Sequence, residues 1–402
     1  MDNIVQEFHE GALNILNGVS LTCEDDGGGG GNPDVTISGT KYEDQDGNLA
    51  TTGDQSGISW TIIVNDGATS QLVSTDANGA WSFHITQAGT YTVTEQTQSG
   101  WTQLGSTTSY TITVDADGNV TSGSTTGNNF YNFDNYDITV HKFVDINGDG
   151  VESGGDGGVA GITINVWADN DNNGVYSAGD TLIGTGETDG SGNFTLTDIG
   201  PGNVVVTEDF SASAFEWKLV SSSNTAFQGS SGDNQSTSFG NILCNAGLAK
   251  TIGYWANNSN KQFSTIAELT TGLAEGGVAT QLFAAATNNA FSSFTAFRSW
   301  ILGVSAKNMN YMLSAQLAGA ALNIGSGLAS EYTLVTITAT QDALINSATT
   351  FVNGQYVVQI NDIIAEANAA LASGGTKEYL GALKTILDNF NNMTNWYVSP
   401  LC

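Results

Sequence analysis

Between Val35 and Asn241 the chain repeats itself, and that repeat limits the fold more than any other feature. Thr75-Asp-Ala-Asn-Gly79-Ala-Trp81-Ser-Phe83 answers Thr188-Asp-Gly-Ser-Gly192-Asn-Phe194-Thr-Leu196, and Tyr91-Thr-Val93-Thr-Glu95 answers Val204-Val-Val206-Thr-Glu208. Lys41-Tyr42-Glu-Asp44 answers Lys142-Phe143-Val-Asp145, and Phe130-Tyr-Asn132 answers Phe239-Gly-Asn241. Within each copy, alternating runs such as Trp60-Thr-Ile-Ile-Val64 and Tyr110-Thr-Ile-Thr-Val114 are separated by Asn, Asp and Gly turns. Alternation with period two, cut by such turns, is the pattern of half-buried strands in a β-sandwich. The expectation is two tandem sandwiches, over residues 35–136 and 137–242.

The second copy carries two loops with the spacing of an EF-hand. One runs from Asp145 through Asn147, Asp149, Gly150, Val151 and Ser153 to Asp156; the other runs from Asp169 through Asp171, Asn173, Gly174, Val175 and Ser177 to Asp180. Oxygen side chains fall at positions one, three, five and twelve, with glycine at six. A hard Ca²⁺ ion takes about six to eight oxygens, and alternate residues of a tight loop converge only if glycine permits the sharp turn. Val151 and Val175 would offer backbone carbonyls. Asp/Asn/Gly-rich hairpin turns are the plain alternative, but two full matches favour Ca²⁺ as cofactor. In the first copy the equivalent loop keeps Asp44, Asp46, Asn48 and Asp54 but has Leu49 where glycine is needed, so strong binding is not expected there.

Charge narrows the functions. With 9 Lys+Arg against 40 Asp+Glu, the formal charge is −31, which excludes the basic patches that nucleic acids and anionic membranes require. No apolar run is long enough for a transmembrane helix. The opening residues lack the basic and apolar regions of a signal peptide. His9, His84 and His141 all precede Asn241, and there is no Gly-x-Ser-x-Gly, His-Glu-x-x-His or phosphate loop. A non-enzymatic protein is expected.

Residues 1–34 read as an arm: Ile4, Phe8, Ala12, Ile15 and Val19 at helical spacing, a strand-like Val19–Cys23, then the glycines Gly27 to Gly31. Such an arm suits docking on a neighbouring copy. Residues 243–402 change character, with helices expected at Phe294–Val304, Met309–Leu322, Thr338–Phe351, Asp362–Ala372 and Lys377–Phe390, Asn361 as an N-cap and Gly374-Gly375 as a stop. Cys244 and Cys402 bracket this region. A disulfide between them would staple its ends and would suit an oxidising compartment, leaving Cys23 as the odd thiol. Trp255, Trp300 and Trp396 are expected in the core or at an interface rather than on a carbohydrate platform.

Gly39-Thr-Lys41-Tyr-Glu-Asp44, the double loop, Thr-Asp-x-x-Gly-x-aromatic, Val-Thr-Glu and Gly100-Trp101-Thr-Gln together resemble the SdrD B-like and Cna B-type repeats of surface proteins, over residues 35–241. The resemblance implies a prealbumin-like sandwich serving as a stalk or spacer outside the cell or on its surface. Lys250-Thr-Ile-Gly-Tyr254-Trp255-Ala-Asn257 and Asn310 to Leu317 are similar to a helical module of secreted proteins that carries no known activity. Lys41 and Lys142 are the only lysines before Lys218. Each has a repeat-matched Glu (Glu95, Glu208) and Asn (Asn132, Asn241). In Cna B-type domains such a trio forms a Lys–Asn isopeptide bond, and the chemistry needs burial to yield a neutral lysine and a protonated glutamate. The plain alternative is a strand lysine paired with a surface carboxylate. The sequence thus points to an extracellular or cell-surface structural protein that polymerises with itself. An adhesin whose helical region binds a ligand, or a non-catalytic module of a larger secreted enzyme, are the other readings.

Overall fold

A computed structural model describes residues 32–51, 53–221, 224–304 and 307–402. The helix and strand expected in the arm, the glycine tether and Cys23 lie outside them. The chain divides into two compact units, one ending at Asn135 and the other spanning Tyr136–Cys402. It is multidomain: β-sandwich sheets come first, and a region with several helices follows.

Among its described residues the first unit has ten strands: β1 (Val35–Asp44), β2 (Gln55–Gly57), β3 (Thr61–Asn65), β4 (Ser70–Ser74), β5 (Ala80–Ile85), β6 (Gly89–Glu95), β7 (Trp101–Gln103), β8 (Tyr110–Val114), β9 (Val120–Ser122) and β10 (Phe130–Asp134). One sheet has the order β2-β1-β10-β7, with β5 also on β1; the other has the order β4-β3-β6-β8-β9. Inward positions alternate as the sequence pattern requires. Ile37, Ile62, Val93 and Ile112 are fully buried between the sheets, and each such side chain contributes about 1.5–3 kcal/mol by leaving water. First and last strands, β1 and β10, are adjacent and parallel, with Lys41 opposite Phe130 and Glu43 opposite Asn132.

The second unit opens with the same plan in β11 (Tyr136–Val144), β12 (Gly157–Gly158), β13 (Thr163–Ala168), β14 (Thr181–Glu187), β15 (Asn193–Ile199), β16 (Asn203–Asp209), β17 (Glu216–Leu219), β18 (Asn224–Gln228) and β19 (Gln235–Asn245). Its sheets run β12-β11-β19-β17, with β15 on β11, and β14-β13-β16-β18. Strand for strand this matches the first unit without β9. Again the first and last strands pair in parallel, Lys142 facing Phe239 and Val144 facing Asn241.

Among the described residues, the α-helices belong to the same compact unit as this second sandwich. They are α1 (Ile252–Gln262), α2 (Ile266–Glu275), α3 (Phe294–Leu302), α4 (Met309–Gly325), α5 (Ala339–Asp342), α6 (Ile360–Ser373) and α7 (Lys377–Asn391). Every residue of α4 from Leu313 to Asn323 is buried, as befits a helix that is apolar around most of its circumference, and α2 and α7 pack against it. The helix expected over Thr338–Phe351 is not formed. Thr338 caps the four-residue α5 in a reciprocal capping box with Gln341, and α5 is flanked by the strands of a three-stranded sheet, with β20 (Leu334–Ile337) before it and β21 (Thr350–Val352) and β22 (Gln355–Gln359) after it. Asn353 and Gly354, both at positive φ, make the two-residue turn between β21 and β22. Nor is Asn361 an N-cap: α6 begins at Ile360, two residues before the expected Asp362, and its N-cap Gln359 makes no side-chain cap bond. Gly374, at φ 84°, ends α6 as expected.

Candidate functional site

The repeated Thr-Asp-x-x-Gly motif holds the lysine strand. At Lys41, β1 passes from pairing with β5 to pairing with β2. Its backbone N–H donates to the Gly79 carbonyl at 2.8 Å, and its own carbonyl accepts from Ile58 N–H at 3.1 Å. Lys142 repeats this with Gly192 (2.7 Å) and Val159 (2.9 Å). Gly79 (φ 76°) and Gly192 (φ 80°) have no room for a side chain: a Cβ would lie 2.1 Å and 2.2 Å from the lysine carbonyl oxygens. The motif threonines close the corner. Thr75 Oγ1 donates to Ile58 O and accepts from Trp60 N–H, and Thr188 does the same with Val159 O and Ile162 N–H.

This corner delivers both lysines into the interior. Lys41 and Lys142 are fully buried, as are Asn132 and Asn241 to within 2 %. Asn132 and Asn241 stand on the neighbouring strand, two residues beyond the lysine's partner, on the same inward face. Glu95 and Glu208 reach in from β6 and β16 of the opposing sheets. Lys41 Nζ is 3.3 Å from Glu95, and Lys142 Nζ is 3.7 Å from Glu208. These are ion-pair contacts without hydrogen-bond geometry. Lys41 Nζ donates to Tyr42 O, and Lys142 Nζ to Phe143 O and Phe239 O. Trp60 lies under Lys41 Nζ at 4.7 Å, and Trp217 under Lys142 Nζ at 5.7 Å.

Burial dominates the electrostatics. It pulls both lysines down to about 8, against the opposing pull of their glutamates. It raises Glu95, and it raises Glu208 to about 7, with the lysine charge and the nearby Asn offsetting part of the effect. Both Glu208 oxygens and both polar atoms of the Asn241 amide are buried without a well-formed hydrogen bond, as are Glu95 Oε2 and Asn132 Oδ1. An unmet buried polar group costs about 1–3 kcal/mol. The cluster is therefore costly as three separate side chains. It also unites a readily neutralised amine, an amide and a readily protonated acid.

The cation loops of the second sandwich adopt matching conformations. Asp145 accepts from Gly148 N–H and Gly150 N–H, and Asp169 from Asn173 N–H and Gly174 N–H. Asp156 accepts from Ile146 and Ser153 N–H, as Asp180 does from Asn170 and Ser177 N–H. Asn147 and Asn173 donate to Asp149 and Asp171 at 2.9 Å. The Val151 and Val175 side chains point to solvent, leaving their backbones for ligation. Asp169, Asp171 and Asp180 bring carboxylate oxygens within 4.8 Å of one another; Asp145, Asp149 and Asp156 are not gathered so closely. In the first unit Asp44, Asp46 and Asp54 do converge to within 4.8 Å, although Leu49 had argued against that loop.

Cys244, in β19, and Cys402 form a disulfide with Cα atoms 5.4 Å apart. Trp255 and Trp300 are buried in the core, and the half-buried Trp396 packs against it, stacked on Phe390 at 5.5 Å. The network Gln316–Asn391–Asn323, which also caps Trp255 Nε1, gave no signal in the sequence because its members are scattered over α4 and α7.

Residues 36–128 match the SpaA prealbumin-like fold domain. Serine-aspartate repeat-containing protein F of Staphylococcus epidermidis is 27% identical over 158 residues, 38% of this chain and 9% of that protein. Serine-aspartate repeat-containing protein D of Staphylococcus aureus is 28% identical over 230 residues, 52% of this chain and 16% of that one. The chain thus spans a small part of the curated relatives it matches. Among solved structures, GBS52, the minor pilin of Streptococcus agalactiae, aligns over 54% of this chain and 99% of its own with 13% identity and a TM-score of 0.22. Among the described residues, no helix is long and apolar enough to cross a membrane.

Proposed function

We propose that the chain is a non-enzymatic structural protein, located outside the cell or on its surface, whose two sandwiches are each fastened internally by a Lys–Asn isopeptide bond. The observation that carries this reading is the duplicated cluster itself: two fully buried lysines, each beside a buried Glu and Asn. In the bond-forming step, the neutral Lys Nζ attacks the Asn side-chain carbonyl carbon. The protonated Glu donates to the amide and accepts the amine's proton, the bond to Nδ2 breaks, and ammonia leaves. Each bond would join the first and last strands of a sandwich, which lie side by side and parallel, so tension on the chain would load a covalent link. That suits a subunit of a fibre, sheath or surface layer. Ca²⁺ in the loops led by Asp145 and Asp169 would brace the second sandwich, with carboxylates and the Val151 and Val175 carbonyls as ligands. Self-association through the arm, residues 1–31, completes the reading.

The intact mass of the full chain should fall short of its sequence mass by two ammonias beyond the disulfide correction. Glu95→Gln and Glu208→Gln should each restore one. A mass equal to that of the sequence refutes the crosslinks. Negative-stain micrographs of the full chain and of a chain lacking residues 1–31 test assembly: fibres or sheets from the first and none from the second are expected, and unassembled full-length protein counts against the structural role.

A further inference from the structure

We infer a third cation site, in the first sandwich, made by Asp44, Asp46 and Asp54 at the tip of the β1–β2 hairpin. Its loop departs from the EF-hand spacing, because Leu49 takes the glycine position and Asp54 falls one place short of the twelfth. The structure nevertheless brings these three carboxylates together, with ligand oxygens within 4.8 Å of one another. Oxygens bound to one Ca²⁺ at about 2.4 Å can lie no more than about 4.8 Å apart, so the cluster is compatible with a single ion.

A second, independent observation separates this from an ordinary acidic patch. Asp44 is fully buried, and its Oδ1 has no hydrogen-bond partner; neither does either oxygen of Asp54, though both are buried. Asp44 Oδ2 has only Gln55 Nε2, at 3.0 Å. Asp46 is already served by Asn48 N–H and Thr51 Oγ1. Three buried, unpartnered carboxylate oxygens facing one another without a donor are strongly unfavourable unless a cation answers them. The loops of the second sandwich differ on this point. There Asp145 and Asp169 receive the N–H of the position-six glycines Gly150 and Gly174, which turn at φ 81° and 75°. With leucine at that position the first loop supplies no such N–H to Asp44. The substitution that spoils the sequence match therefore leaves at Asp44 a buried oxygen without a donor, which a bound cation would satisfy. The site is also tied to the crosslink, since Asp44 ends the strand that carries Lys41.

Hydrogen–deuterium exchange on the full chain, read on the peptide from Tyr42 to Gly57, tests the site apart from the loops of the second sandwich, which report through their own peptides. In excess Ca²⁺ over chelator, amides of this peptide should be protected about 100-fold at an ion concentration 100 times the Kd. The Asp44→Asn plus Asp54→Asn chain should lose that response. In chelator, the same variant should be better protected than the natural chain, because the repelling charges are gone; this rules out a simple folding defect. Identical exchange of the natural peptide with Ca²⁺ and with chelator overturns the inference, whatever the Asp145 and Asp169 loops do. So does a variant that exchanges faster than the natural chain in chelator.

Discussion

Replacing Cys244 and Cys402 by serine should destabilise residues 136–402 by an amount set by loop closure. The disulfide spans 158 residues. In the chain-entropy model, opening such a loop in the unfolded state removes about 5 kcal/mol at 25 °C. Packing adds little, because Cys402 is exposed and Cys244 half-buried. Residues 136–402 form one compact unit, and at roughly 2.1 cal/mol/K of unfolding entropy per residue the loss corresponds to a Tm drop of about 9 °C. Differential scanning calorimetry of the Cys244→Ser plus Cys402→Ser chain, alongside the natural chain with and without reductant, measures it. The reduced natural chain and the variant should melt together, well below the oxidised protein. Melting of all three within about 2 °C of one another would refute the argument, since the bond would then restrain only the tail whose Leu401 carbonyl accepts from Lys218.

Gly192→Ala should cost the second unit about 1–2 kcal/mol from left-handed backbone alone, and more from the clash with the Lys142 carbonyl. It should also abolish one of the two ammonia losses in the intact mass, and a full mass deficit would show that the corner does not position the lysine. Trp255→Ala, at a fully buried site bonded to Asn323, should cost about 3–5 kcal/mol in denaturant unfolding; a loss under 1 kcal/mol would contradict its place in the core. In an Asn241→Ala chain no bond can form and the pair titrates. Folded Lys142, at about 8, lies below its ordinary 10.5, so its contribution is lost as pH falls through about 8 and returns above it. Folded Glu208, at about 7, lies above its ordinary 4.5, so its contribution is present at low pH and lost as pH rises through about 7. Relative to a chain also carrying Lys142→Met and Glu208→Gln, the Tm should therefore be lowest between about pH 7 and 8. A flat difference from pH 5 to 10 would mean the pair is not buried as described.

The sandwiches were legible because their signals are local and doubled. Alternation in Tyr110–Val114 and the Asp-x-x-Gly turns each act over a few residues, and the second copy checks the first. What the motif is for was not legible: that Gly79 sits against the Lys41 carbonyl depends on a strand far away in sequence. The convergence of Asp54 with Asp44 and Asp46 was likewise hidden by counting loop positions, which assumes the turn that Leu49 does not make. In the helical region, periodicity found α3, α4, α6 and α7. It also extended α5 through Thr350-Phe351, where β-branched and aromatic residues beside Asn353-Gly354 spell a hairpin that could have been read. Helices α1 and α2 were missed because Asn and Thr dilute their apolar faces.

The 5.4 Å between the Cα atoms of Cys244 and Cys402 has a consequence for dimensions. The polypeptide leaves the end of β19, builds an entire helical body, and returns to the point of departure. Any residue placed after Cys402 would start where one placed after Cys244 would have started. Through the disulfide, the covalent path from the residues before Cys244 to any placed after Cys402 therefore skips the helical body almost entirely. Enlarging it, or exchanging it for another body with equally close ends, would leave the length of that covalent path unchanged.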